Sequence, residues 1–124
     1  MDTKISCLTE KLLHYNGLFL ENYRSARESG KKQDFHQIIK PFVDHVEELN
    51  DEWKSLMKKW LAENTAKHIH LKQVETTADH IGQLAVQCFF PESSKSRFLN
   101  SQRTVEFFLK EVLQEIKSIK KDAE

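Results

Sequence analysis

A chain of 124 residues is long enough for one self-sufficient core and short for two. It is 39% hydrophobic and 31% charged, with three Gly and two Pro, too few breakers to end a strand about every ten residues, so an all-β chain is excluded in favour of helices. Nineteen basic side chains balance 19 acidic ones, so no global field favours a phosphate backbone or an anionic bilayer, and neither nucleic acid nor membrane is expected as a partner.

The first element is carried by Ile5, Leu8, Leu12, Tyr15, Phe19, Tyr23 and Ala26, whose steps of three and four place them on one stripe of a helix over residues 3–29. Gly17 lies inside it and is expected to let a neighbouring helix approach closely. Gly30 and the polar residues around it then form a short connection that forces an antiparallel neighbour. Asp34, with Gln37 three residues on, opens helix two in the manner of a capping box. Phe42, Val46, Leu49, Trp53, Leu56 and Trp60 carry that helix to about Asn64.

Helix three starts at His70, with Ile69 and Val74 placed as a hydrophobic staple and Gln73 at the box position. Val74, Ala78, Ile81, Ala85 and Cys88 continue it, and Pro91 ends it. Phe98, Val105, Phe108, Val112, Ile116 and Ile119 define a fourth helix, with Lys117, Lys120 and Lys121 favouring its C-terminal dipole. Phe90 and Phe107 fall off the main stripes and are candidates for exposed aromatic anchors. With one apolar stripe per helix, the expected fold is all-α: an antiparallel up-and-down four-helix bundle forming a single domain over residues 1–124. A dimer of two-helix hairpins is the competing architecture.

Little in the sequence carries chemistry. None of the six His has a Glu three residues before it, so the di-metal bundle motif is absent, and His68 and His70 lack further ligands at metal spacing. No metal and no cofactor is expected. Cys7 and Cys88 are too few for a disulfide framework and read as buried or partly buried free thiols. Nucleophile-elbow and phosphate-loop motifs are missing, which argues against an enzyme. No run of 18 apolar residues occurs, and "MDTKISCLTEKLLHYN" has no signal-peptide pattern, so a cytoplasmic location is expected.

Pro41 is the irregular feature. Inside a helix that begins at Asp34 it deprives the carbonyl of Gln37 of a donor and kinks the helix; alternatively it stands in the first turn of the main helix, after a separate turn. In an antiparallel bundle, Lys40 and Pro41 share one end with Gln87 and Arg97. These four residues form the candidate binding site. Lys40 or Arg97 either satisfies the freed carbonyl, or the bend opens a small cationic pocket for an anionic ligand or a peptide carboxylate.

The stretch "DFHQIIKPFVDHVEELNDEW" resembles the YppE-like proteins of Bacillus-type bacteria in Asp34, Phe35, Ile39, Lys40, Pro41, Val43, Glu48, Leu49 and Trp53. The similarity continues in phase through Lys67, His70, Gln73, Glu75, Asp79, Leu84, Gln87, Lys95, Arg97, Phe98, Val105, Leu109, Val112, Glu115 and Ile116. Ala66 departs from it, standing where a member of the family has proline. The resemblance implies a small cytosolic four-helix bundle with no assigned catalytic residue or cofactor. The expected role is a protein-interaction or regulatory module, monomeric or weakly dimeric, that binds a protein partner through a helix face or the Pro41 end. A metal-binding or enzymatic bundle is the competing class.

Overall fold

In the computed structural model the chain forms four α-helices: α1 (Asp2–Ser29), α2 (Lys40–Glu63), α3 (Leu71–Gln87) and α4 (Lys95–Ala123). A π-helical turn, Phe35–Ile39, runs directly into α2. The structure describes the backbone of residues 2–123 and the side chains of residues 3–119, so the side chains of Lys120 and Lys121 lie outside it. No strand occurs among the described residues.

Each helix packs on its two neighbours around the bundle, α1 on α2 and α4, and α3 on α2 and α4, with a thinner diagonal contact between α1 and α3. Side chains fix the sense of the packing. Tyr23, late in α1, stacks on Phe98, early in α4, at 4.0 Å between ring centroids. Phe42, early in α2, meets Phe89, just after α3, edge-on at 5.2 Å. At the opposite pole the backbone N–H of Lys67 donates to Glu115 of α4 at 2.9 Å, tying the α2–α3 connection down. Successive helices therefore run in opposite directions, as short connections require.

The helix boundaries follow local chemistry. α1 stops at Gly30, which adopts φ +66°, a region costly for any residue with a Cβ, and donates back to Ala26 at 3.0 Å. α3 opens at His70, whose extended backbone puts its N–H within 2.8 Å of the Gln73 side chain, while Ile69 and Val74 close the staple beneath it, both buried.

Trp53 and Trp60 are fully buried at the centre of the core, among Leu12, Met57, Ile81 and Leu109. Two expectations need correction. A Cβ added at Gly17 would meet nothing within 4 Å, so no neighbouring helix needs this glycine. Cys7 is exposed, because it lies off the α1 stripe; only Cys88 is buried.

Candidate functional site

The irregularity expected at Pro41 is present, and it takes the form of a wide turn. Asp34 caps the turn by accepting from the Gln37 N–H at 2.7 Å. The Ile39 N–H then reaches back five residues to Asp34 O at 3.1 Å, and the Lys40 N–H reaches Phe35 O in the same way. An ordinary α-helix would aim the carbonyl of Gln37 at the proline ring; slipping into the wider pattern just before Pro41 displaces that carbonyl and keeps the chain helical. Lys40 accordingly keeps helical angles, φ −61° and ψ −48°, despite preceding proline, and Pro41 occupies the first turn of α2. Both earlier options thus describe part of what is built. The turn leaves Phe35 and Ile38 exposed and buries Ile39.

No hydrogen bond, ion pair or shared cavity joins Lys40, Gln87 and Arg97 among the described residues, and each has its own setting. The Lys40 ammonium is bound by Asp44 on its own helix at 2.7 Å, which holds its pKa above the ordinary lysine value. Arg97 is exposed in the first turn of α4, where its backbone N–H faces the Ser94 hydroxyl at 3.4 Å. Gln87 has a different setting: it closes the end of a groove of about 660 Å³ running between α2 and α3. Lys40, Pro41 and Arg97 do not line that groove.

The groove is built by residue size. α3 contributes Ala78, Gly82 and Ala85, and α2 contributes Val43 and Val46, so short side chains make an apolar floor where longer ones would fill the space. An added Cβ at Gly82 would meet nothing, which marks this position as an opening in the wall. Val86, 40% exposed, extends the apolar lining toward Gln87. Above the floor stand Glu47 and Asp51 from α2 and Asp79 from α3, and no Lys or Arg lines the groove. Asn50 lies between these layers: 7% exposed, it donates to the carbonyl of Ala78 at 2.8 Å, while its own Oδ1 is buried without a partner. An unpaired buried acceptor costs about 1–3 kcal/mol.

Asn50 was not among the sequence-derived candidates, nor were the other buried amides. Asn16 of α1 and Gln102 of α4 exchange hydrogen bonds across the core, each side-chain NH₂ donating to the other residue's backbone carbonyl, at 2.9 and 3.3 Å. The signal was present: Asn16 falls four residues after Leu12 and three before Phe19, and Asn50 stands in the same relation to Val46 and Trp53. Phe107 is 68% exposed, as its off-stripe position predicts, whereas Phe90 is half-buried. Among the described residues no group of three or more His, Cys, Asp or Glu is placed to hold a metal ion.

The family model described as a bacterial domain of unknown function, DUF1798, matches residues 9–116, which spans the π-helical turn, the groove and all four helices. The chain belongs to this family. It is 26% identical over 109 residues to the uncharacterised protein YppE of Bacillus subtilis, covering 88% of this chain and 89% of that protein. The YppE crystal structure superposes with a TM-score of 0.92 at 23% identity, covering 100% of this chain and 99% of that one. A Listeria innocua protein of unknown function gives a TM-score of 0.91 at 27% identity, with 97% and 96% coverage. A DUF1798 member from Staphylococcus aureus gives 0.83 at 22% identity, with 90% and 95% coverage. The fold is therefore that of the YppE-like bundle.

Proposed function

We propose that the protein is a cytoplasmic interaction module that receives a helical segment of another protein in the α2–α3 groove. The observation carrying this reading is the groove itself: an apolar floor left open by Ala78, Gly82 and Ala85 between α2 and α3. Two parallel ridges of helix with small residues between them form the kind of cleft into which a third helix lays its apolar face. The absence of any described helix long and apolar enough to cross a membrane agrees with this setting. Of the four residues expected at the Pro41 end, Gln87 alone lines the groove, so the reading favours the helix face over that end.

A matched pair of substitutions tests it. Gly82→Leu projects a side chain into the groove, and Gly17→Leu places the same side chain on the exposed side of α1; neither added Cβ meets a neighbour. A photo-crosslinker at Val86 in cells should yield a discrete adduct that Gly82→Leu abolishes and Gly17→Leu leaves intact. An adduct indifferent to Gly82→Leu, or none at all, refutes the groove as the docking surface.

A further inference from the structure

Resting on that groove reading, we infer that the docked segment is a cationic amphipathic helix, with Lys or Arg flanking an apolar stripe. The argument is charge complementarity. Across the whole chain the charges cancel, but the groove lining carries Glu47, Asp51 and Asp79 with no Lys or Arg. The two α2 carboxylates stand four residues apart, so they repeat once per turn along one wall, with Asp79 facing them from the other. Lys40, about two turns before Glu47 and within its field, is already bound by Asp44.

A helix bringing apolar residues to Val43, Val46, Ala85 and Val86 would therefore set its flanking residues against carboxylates on both sides. Acidic flanks would be repelled at three points, and neutral ones would leave the carboxylates less solvated without an opposite charge. Asn50 adds a second, independent indication. Its Oδ1 is an acceptor buried beside the floor with its partner missing, and the groups that satisfy such an atom best are the N–H donors of Lys and Arg. The same lining argues against a phosphate-bearing partner, since nucleic acid or an anionic lipid would meet the acidic rim first.

Three synthetic helical peptides of equal length and identical apolar stripe, flanked by Lys, Gln or Glu, test the inference by fluorescence anisotropy with the intact protein. The Lys-flanked peptide should bind at least tenfold more tightly than the Glu-flanked one at low salt, and the gap should shrink as salt rises. Gly82→Leu should abolish its binding and Gly17→Leu should not. Asp51→Asn with Asp79→Asn should weaken it about tenfold and flatten its salt dependence, while leaving the Gln-flanked peptide unchanged.

Equal binding of all three peptides, blocked by Gly82→Leu, overturns the cationic partner while the groove reading stands. Binding of the Lys-flanked peptide that survives Gly82→Leu places it elsewhere and also overturns the inference. Concentration-dependent self-association abolished by Gly82→Leu, with no peptide binding, names a second copy of this chain as the occupant and overturns it too. No peptide binding and no self-association overturns the cationic partner, while the groove reading stands or falls by the Val86 adduct.

Discussion

Trp53 and Trp60 are both fully buried, but their indoles are treated differently. The Trp53 Nε1–H donates to the Thr9 hydroxyl at 2.9 Å, and that hydroxyl donates in turn to the carbonyl of Ile5 at 2.7 Å, whereas the Trp60 Nε1–H has no partner among the described residues. Thr9→Val keeps the shape and strands the Trp53 donor, so it should cost about 1–3 kcal/mol in urea unfolding, with Thr9→Ser retaining most of the stability. Trp60→Phe removes a donor that is already unpaired, so relief of that penalty should offset part of the cost of the lost volume.

Cys88 makes a second prediction at this scale. Burial pushes its thiol up to about 12, against only weak opposition from a contact with Asn22. A free thiol titrates near ~8.5, so between roughly that value and 12 the unfolded chain ionises while the native one does not. Stability is fully present below the lower value and should fall as pH rises above it, by about 1.4 kcal/mol per pH unit. Cys88→Ala, though less stable throughout, should lose that part of the slope. At pH 8 the exposed Cys7 should react with a thiol reagent promptly and Cys88 only when the protein opens.

Among the elements, α2 has the most informative beginning. Because Pro41 lacks an N–H, the chain adopts two five-residue hydrogen bonds before it, from Ile39 and Lys40. Pro41→Ala supplies the missing donor, so the ordinary four-residue pattern becomes available, and amide exchange at Ile39 and Lys40 should change while that in α3 should not. Asp34→Ala removes the side chain that fixes the turn's first residue and should cost about 1 kcal/mol.

These elements also show what the sequence discloses and what it withholds. The four helices, the staple at Ile69 and Val74, and the glycine stop at Gly30 were legible because each depends on residues near one another in the chain. Pro41 was legible as a disturbance but its form was not: a kinked α-helix and a π-turn differ in which carbonyl the next N–H reaches, and both satisfy the same side-chain rhythm. The groove was harder still. It depends on what is small at Ala78, Gly82 and Ala85 facing Val43 and Val46 across an interhelical register that no local pattern specifies. The proposed polar cluster failed to foresee that Lys40 would be taken by Asp44, although their spacing of four residues on one helix favours that pair.

For the molecule as a whole, stability and the proposed recognition are separable. Gly17 and Gly82 sit on different helices with open space beside them, so Gly17→Ala and Gly82→Ala should each add up to about 1 kcal/mol through helix propensity. The gains should add in the double variant and raise Tm by about 4 °C per kcal/mol, checked by calorimetry.

The exchange between Asn16 and Gln102 has a further consequence for this bundle. Sliding α1 against α4 by a single turn, about 5.4 Å, would leave two amides facing hydrocarbon with nothing to bind, so those helices have one permitted stagger. A segment docked in the opposite cleft, as proposed, would consequently meet a frame that resists shear.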